Sequence, residues 1–236
     1  MKVWKKLPSR SWPFMKVLRK NSKEFTGSSC EPPAPAPEVK IVYWRELRFS
    51  VLPDVYEPAE DTFFLAENLE VRAGEKVLEL GTGCGMLAVI AAKAGGNVVA
   101  TDINPVAIEC ARRNAAANGV DGKIDFRIGD LFKPVKGERF NQIIFNPPYL
   151  PTDPEEAKGG WLEKAWDGGV DGRRVIERFL QEFPEHLELG GRAVFVQSSL
   201  SDIPKTIQML KLSGLKFNFL QKKLPFEELF LFRCAK

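Results

Sequence analysis

The sequence contains few of the residues on which nucleophilic and metal chemistry most often depend. Its 236 residues include a single histidine, His186, and four cysteines, none of them in the CxxC spacing of zinc and redox sites. A zinc site and a Cys-His catalytic pair are therefore not expected, and the sequence predicts no metal centre. Cysteines this isolated, in a chain without a secretory leader, are typical of the reducing cytoplasm.

Long apolar runs and a strongly basic body are also missing. No run approaches the roughly 20 residues needed to span a bilayer, which predicts a soluble protein with no membrane partner. Net charge is +3, but residues 1–40 hold nine Lys or Arg and three Glu, a balance of +6 that leaves −3 for residues 41–236. Domains that bind nucleic acid through many phosphates are usually basic, so nucleic acid is disfavoured as the direct substrate.

The first 40 residues differ from the rest in composition. They are basic and end in a proline-rich stretch at 30–37, which favours extended, hydrated chain. We predict a disordered tail over residues 1–40 and one domain over residues 41–236. An upstream start with Met15 as the alternative, a basic arm for RNA or a ribosomal partner, and a mitochondrial transit peptide are the other interpretations of the tail.

Strands and helices are predicted to alternate along the domain. A short hairpin at 41–52 and a helix at 60–69 come first, and further helices are predicted at 86–94, after Asn104, around 176–183 and at 203–212. Strands are predicted at 76–80, 97–101, 123–128, 140–145, 192–197, 215–220 and 228–232. Because parallel strands need crossover connections, this order predicts an α/β fold: a seven-stranded, mostly parallel, Rossmann-like sheet with helices on both faces. The last two strands have no helix between them, so one strand of a C-terminal hairpin must be antiparallel.

A glycine-rich turn follows the first strand of that sheet. Gly81, Gly83 and Gly85 alternate with other residues, and Glu79 stands two positions before the first of them. Glycines here allow a tight turn and let the backbone approach a ligand at the carboxyl ends of the strands. The spacing G-x-G-x-G differs from the G-x-G-x-x-G of dinucleotide-binding enzymes, which disfavours a nicotinamide oxidoreductase.

Acidic residues close the next two strands. Asp102 stands 21 residues after Gly81, where a carboxylate can accept both ribose hydroxyls of an adenosine, and Asp130 could reach the adenine amino group. We place their neighbours Ile103 and Leu131 in the same cofactor site. Ordinary turn formation is the alternative for both acids, but three such features at three successive strand ends favour a nucleoside site.

The sequence Asn146-Pro147-Pro148-Tyr149 follows the fourth strand and is our candidate for the chemistry. Two prolines leave a rigid loop that offers carbonyl oxygens, Asn146 adds a side-chain acceptor and Tyr149 adds a flat aromatic face. Acceptors for both hydrogens and a ring for stacking suit a planar NH2 group. We predict catalytic roles for Asn146, Pro147 and Tyr149 and substrate contacts for all four residues. The alternative is a Pro-Pro turn with Tyr149 as packing.

Such a pocket suits methyl transfer to an amide or an exocyclic amine. The nitrogen lone pair of these groups is delocalised, so holding both hydrogens and aligning the nitrogen with a sulfonium methyl group would promote transfer by positioning and electrostatics. No charged base is required, in keeping with the single histidine. The prediction is an N-methyltransferase that uses S-adenosyl-L-methionine, with Asn146 also facing the cofactor.

From about Val42 onward the chain resembles the HemK-like protein-glutamine N5-methyltransferases of the class I methyltransferase fold. Besides the glycine turn and the NPPY sequence, the resemblance includes residues 55–63, VYEPAEDTF, and 165–169, AWDGG, followed by Gly172-Arg173. These segments are similar to the branch found in archaea and eukaryotes.

The resemblance implies methylation of the glutamine in the Gly-Gly-Gln loop of a class I peptide chain release factor. It also implies that Glu60, Asp61 and Thr62 line the cofactor pocket and its entrance. Members of this branch often work with a small zinc-binding activator of the Trm112 type, which would cover an exposed apolar strip near the sheet edge on the side of the glycine turn.

Other functions remain open from the residues alone. An adenine-N6 methyltransferase acting on DNA or RNA would use the same loop, although it needs a region to handle a flipped base, and 151–171 is the one sizeable insertion. A protein lysine methyltransferase and a non-catalytic binding protein are further alternatives. The latter would be expected to lose Asn146 or Tyr149, and both are present.

Overall fold

A computed structural model describes residues 38–153, 155 and 159–236 of the chain. The predicted tail, except for its last three residues, lies outside the described residues. The described residues belong to one compact unit. None of the helices in this part of the chain is long and apolar enough to cross a membrane.

The strands and helices follow the predicted alternation. The strands are β1 (Lys40–Trp44), β2 (Leu47–Val51), β3 (Lys76–Leu80), β4 (Asn97–Asp102), β5 (Ile124–Ile128), β6 (Phe140–Phe145), β7 (Leu187–Ser198), β8 (Lys216–Lys223) and β9 (Glu228–Ala235). The helices are α1 (Glu60–Glu67), α2 (Met86–Lys93), α3 (Pro105–Ala117), α4 (Trp161–Lys164), α5 (Arg174–Glu182) and α6 (Ile203–Leu212).

Seven of these strands form one sheet in the order β5-β4-β3-β6-β7-β9-β8. Strand β9 is antiparallel to both of its neighbours, and the other pairs are parallel. The predicted fold class, with its C-terminal hairpin, is therefore confirmed. The direction of winding reverses between β3 and β6, and the carboxyl ends of strands at such a point form the crevice in which open α/β sheets bind ligands.

The inner parallel strands of the sheet are largely buried on both faces, while the edge strand β8 is mostly exposed. Side chains of β3 alternate between two apolar clusters: Val77 packs with α1, α2 and α3, while Leu78 packs with α5 and α6. The strands thus hold their carboxyl ends in fixed positions between two layers of helices.

The β1–β2 hairpin forms a separate two-stranded sheet that is fastened to α3 by two asparagine side chains. Asn114 lies on α3 and Asn118 is its C-cap, one turn further on; they bond the backbone of Ser50 and Arg48, which lie two residues apart on β2. The helical spacing of four matches the strand spacing of two, because each is about 6 Å. The hairpin is therefore held in place by the body of the domain.

The main departure from the predicted elements is in β7. The expected strand began after Gly190-Gly191, but β7 begins at Leu187 and includes both glycines. Buried Leu187 pairs with Phe140, and the register then shifts before Arg192 pairs with Gln142. An irregularity at which Gly190 takes φ +73 absorbs the extra residues, so glycines that indicate a loop in the sequence lie inside a strand.

Candidate active site

A cavity of about 290 Å³ lies at the carboxyl ends of β3, β4 and β6. The predicted residues that line it are Thr62, Glu79, Gly81, Gly83, Asp102, Ile103, Asp130, Leu131, Asn146 and Pro148. Glu60, Asp61, Gly85, Pro147 and Tyr149, which were predicted for the same site, are not among the residues that line it. Tyr56, Trp161, Arg174 and Arg178 also line it, and none of them was predicted as a site residue.

The glycines of the turn after β3 divide into two kinds. Gly83 has φ +55, and a Cβ added there would meet no other atom within 4 Å, so the backbone is bare on its cavity side. Gly81, at φ +62, also faces the cavity. A Cβ on Gly85 would instead lie 2.8 Å from the Cβ of Ala111, because Gly85 allows α2 to pack against α3. The structure thus shows a packing role for Gly85, and its predicted contact with a cofactor stays a prediction.

Asp102 lies beside the turn and already accepts hydrogen bonds from it. Its two carboxylate oxygens accept from the backbone N–H of Gly83 at 2.9 Å and of Asn104 at 2.8 Å. Burial raises the pKa of Asp102, and these backbone donors oppose the shift. Each oxygen keeps a lone pair, so the carboxylate is oriented and still able to accept from a ligand hydroxyl.

Asp130 is paired more strongly than the sequence indicates. Arg178 donates to it at 2.7 Å and Lys133 at 3.0 Å, and the hydrogen bond from Arg178 is the main reason that its pKa is lowered. Leu131 follows with φ +46, a conformation that residues with a side chain rarely adopt. An adenine amino group at this end of the cavity would share the Asp130 carboxylate with Arg178.

Glu79 is the acid that precedes the glycine turn, and it is buried beneath it. Burial raises its pKa to about 8, against the opposing hydrogen bond from the Thr82 hydroxyl. This carboxyl group therefore keeps its proton near neutral pH.

The side-chain amide of Asn146 is held in place by two residues of α1. Its Nδ2 donates to Asp61 Oδ2 at 3.1 Å and to Thr62 Oγ1 at 3.3 Å. A carboxylate can only accept, so it selects the amide nitrogen and turns Oδ1 away. Asn146 Oδ1 is buried and has no hydrogen-bond partner among the described residues. Asn146 thus presents a free acceptor whose direction is set by a neighbouring charge.

Two tyrosines share the same carboxylate. Tyr149 is only 7% exposed and donates its hydroxyl to Asp61 Oδ2 at 3.1 Å, and Tyr56 donates at 3.3 Å. Burial, followed by the charge of Asp61, raises the pKa of both phenols above the ordinary value. Both therefore remain protonated donors. Tyr149 packs in the apolar cluster on the α1 side of the sheet, and its predicted stacking on a substrate stays a prediction.

The three predicted residues at the start of α1 have different positions. Thr62 lines the cavity, Asp61 lies beneath the NPPY loop as the shared acceptor, and Glu60 points elsewhere to an ion pair with Lys222 at 2.6 Å. The resemblance indicates this segment, but the hydrogen-bond network centred on Asp61 was not predicted, since 85 residues separate Asp61 from Asn146.

The 165–173 segment holds the NPPY loop from below. Leu150 N–H donates to Trp166 O, and Gly168 N–H donates to Leu150 O, both at 2.9 Å. A Cβ on Gly172 would lie 2.3 Å from the carbonyl oxygen of Tyr149. These close approaches explain the glycines of the AWDGG stretch and its continuation: they allow two backbone segments to touch beside the loop.

A sheet of this order, with a glycine turn after β3 and a cavity at the strand ends, defines a class I methyltransferase. A family model described as "Methyltransferase small domain" matches residues 49–158. Among relatives, a "Putative protein N5-glutamine methyltransferase" of Methanocaldococcus jannaschii is 43% identical over 80% of this chain and 95% of its own length. "Methyltransferase HEMK2" of Homo sapiens is 37% identical over 69% of this chain and 80% of its own length. The chain belongs to the HemK-like protein-glutamine N5-methyltransferase family.

Solved structures agree with this assignment. The "E. cuniculi Mtq2-Trm112 complex", described as responsible for methylation of the eRF1 translation termination factor, is 26% identical with a TM-score of 0.60, over 78% of this chain and 99% of the other. The "T. Thermophilus 16S rRNA N2 G1207 methyltransferase", solved with AdoMet and guanosine, has a TM-score of 0.64 at 21% identity, over 87% of this chain and 52% of the other. At that identity the second likeness shows the fold alone.

Proposed function

We propose that this methyltransferase transfers a methyl group from S-adenosyl-L-methionine to the side-chain amide nitrogen of a glutamine in a class I peptide chain release factor. The observation that carries the proposal is the buried, unpartnered Oδ1 of Asn146, a residue that lines the cavity. A buried acceptor without a donor is rare in native proteins and calls for an explanation. A substrate N–H is the donor that this position suits.

The residues of the cavity fit the proposed cofactor. Bare backbone at Gly83, an oriented carboxylate at Asp102, and the lining residues Ile103 and Asp130 provide a wall for the ribose and the base of a nucleoside. When bound, the cofactor would supply an electrophilic methyl group on a sulfonium. Thr62 and Asn146 line the same cavity, so the proposed sites for the methyl donor and for the methyl acceptor meet at Asn146.

The protein's own contribution is positioning. Asn146 Oδ1 accepts one amide hydrogen of the substrate, and a carbonyl oxygen of the rigid Asn146-Pro147-Pro148 loop accepts the other. Asp61 keeps the side-chain amide of Asn146 from rotating so that its oxygen and nitrogen exchange places. The raised pKa values of Tyr56 and Tyr149 mean that these phenols orient Asp61 as donors and do not act as bases.

Glutamine is favoured over other planar nitrogens by the relatives. Curated bacterial relatives are named release factor glutamine methyltransferases, and the Mtq2-Trm112 structure is described as acting on eRF1.

We also propose a zinc-binding Trm112-type activator and a cytoplasmic location. Strand β5 ends the sheet on the side of the glycine turn, and its Ile128 is 59% exposed, where such an activator would be expected.

Labelled S-adenosyl-L-methionine tests the proposal directly. The protein, with and without a Trm112-type partner, would be incubated with a release factor, with the same factor carrying a replaced target glutamine, and with DNA or tRNA. We expect label on the first substrate alone. Label on nucleic acid and not on the release factor would overturn glutamine as the acceptor and favour an adenine-N6 reaction.

A further inference from the structure

The turn between β8 and β9 lies against the helix that holds the NPPY loop. It is closed by a hydrogen bond from Leu224 N–H to Glu227 O at 2.9 Å. Lys222, just before the turn, pairs with Glu60 at the start of α1 and lies 5.8 Å from the ring centroid of Phe64. Leu224 packs against the apolar cluster that contains Tyr149. The end of the C-terminal hairpin is therefore fixed beside the candidate active site.

Strand register places Glu227 beyond the same edge of the sheet as the NPPY loop. Phe145, Phe195 and Phe232 are paired neighbours on β6, β7 and β9. Tyr149 comes four residues after the first of them, and Glu227 comes five residues before the last, in an antiparallel strand. Both therefore lie past the carboxyl ends of the parallel strands.

Glu227 also lies on the face of the sheet that carries the catalytic candidates. On β9, Leu229 and Leu231 pack in the cluster that contains Tyr149, while Phe230 and Phe232 pack on the opposite face. Glu227 directly precedes β9, and continuing the alternation of side chains along the strand by one residue places it on the face of Leu229. In keeping with this position, the charge of Glu227 contributes to raising the pKa of both Tyr56 and Tyr149.

One carboxylate oxygen of Glu227 has no partner. Its Oε2 is buried, and no described residue donates a hydrogen bond to it. An ionised carboxylate can only accept, so the missing group must be a donor. Next to it, Phe226 is 83% exposed at the tip of the turn, an aromatic surface of the kind that is enriched where proteins bind partners. A free acceptor beside an exposed aromatic ring indicates that a bound ligand supplies the missing hydrogen-bond donor at the β8–β9 turn.

We infer that Glu227 is a substrate-positioning residue that accepts a hydrogen bond from a backbone N–H of the peptide segment bearing the target glutamine. The inference rests on the proposed function and extends its acceptor site. Both N–H groups of the target amide are assigned to Asn146 Oδ1 and to a carbonyl of the NPPY loop, so a further acceptor requires a different donor. In an extended peptide the nearest remaining donors are its backbone N–H groups.

Steady-state kinetics on the full chain, with release factor as substrate, test this role. We expect Glu227→Ala to raise KM about 10- to 100-fold, as for the loss of a hydrogen bond to a charged group, with a smaller change in kcat and an unchanged cofactor Kd. Glu227→Gln keeps one acceptor oxygen and should recover part of the loss. Glu228→Gln, one residue away, is the matched control and should leave KM within about twofold, since it removes a charge at the surface.

Peptides of the glutamine-bearing loop, each methylated at one backbone nitrogen, identify the donor. Wild-type protein should bind one of these peptides much more weakly than the others, and Glu227→Ala should bind that peptide as well as the unmodified one. If Glu227→Ala has a wild-type KM, or shifts KM no more than Glu228→Gln, the inference is wrong while the proposed function stands. A wild-type protein that neither binds nor methylates these substrates would overturn the proposed function itself. If replacing a cationic residue of the peptide abolishes the Glu227 effect and backbone methylation does not, the donor is a side chain and the inference is wrong.

Discussion

In the candidate active site, the residues proposed to bind the methyl donor (the donor side) differ from those proposed to bind the methyl acceptor (the acceptor side) in how completely the protein satisfies their polar groups. On the donor side, Asp102 and Asp130 each accept two hydrogen bonds from the protein, and Glu79 is bonded to Thr82. On the acceptor side, Asn146 Oδ1 and Glu227 Oε2 are buried without partners among the described residues. The third such oxygen belongs to Gln197, near the end of β7. The nitrogen of the same side-chain amide donates to the carbonyl oxygen of Ser201.

This difference suggests two ways of recognising a ligand. The donor side is oriented in advance by hydrogen bonds from backbone and side-chain groups of the protein, so a ligand adds to bonds that already exist. The acceptor side has oxygens that only a substrate N–H can satisfy, so a wrong substrate leaves them buried and unpaired. Leaving a buried acceptor unpaired is costly, and that cost gives the acceptor side greater power to discriminate.

Replacing Asn146 should have the largest effect, because it removes the acceptor aimed at the reacting nitrogen. We expect Asn146→Ala to lower the rate of methyl transfer about 10²- to 10³-fold, as for loss of one preorganised group at a reacting centre, with cofactor Kd within about twofold. Single-turnover rates and calorimetric titration measure the two quantities. Asn118→Ala removes an amide that supports the hairpin and serves as the control. A near-normal rate for Asn146→Ala would refute the assigned role.

Replacing Asp61 should have an intermediate effect on the same side. In Asp61→Asn the charge that selects Asn146 Nδ2 is lost, and the Asn146 amide can turn over, so we expect a fall in kcat of about tenfold with little change in cofactor binding. Glu67→Gln, at the other end of α1, is the control for the loss of one negative charge. If cofactor affinity fell as much as kcat, Asp61 would belong to the donor side and the contrast between the two sides would be lost.

Replacing Gly83 should have the smallest effect and act on the donor side. Gly83→Ala and Gly119→Ala both place a side chain at positive φ, +55 and +68, in open space, so both should destabilise the fold by about 1–2 kcal/mol. Only Gly83 lines the cavity, so only its substitution should weaken cofactor binding, by about fivefold for 1 kcal/mol. Thermal unfolding and titration of both variants separate the effects. Equal cofactor Kd values would show that the bare backbone at Gly83 is not used.

Much of the fold and of the donor side could be predicted because their signals are local. Strands such as β3 and β4 are short segments rich in apolar residues, and Gly83, Asp102 and Asp130 stand at the ends of successive strands whose carboxyl ends must meet at one edge. The glycine spacing, however, could not separate Gly83, which lines the cavity, from Gly85, which packs on Ala111. Nor could the sequence place Gly190-Gly191 inside β7, because that strand extends only through the pairing of Leu187 with Phe140.

What the sequence by itself determined is the order of the strands and helices, the glycine turn, and the rigid NPPY loop, since each depends on neighbouring residues. The tertiary structure alone decided which atoms remain free to react. Asp61 selects the orientation of Asn146 across 85 residues of chain, and the β8–β9 turn brings Glu227 to the same face. Hydrogen-bond partnership in a folded core depends on distances between remote segments, and no local pattern records those distances.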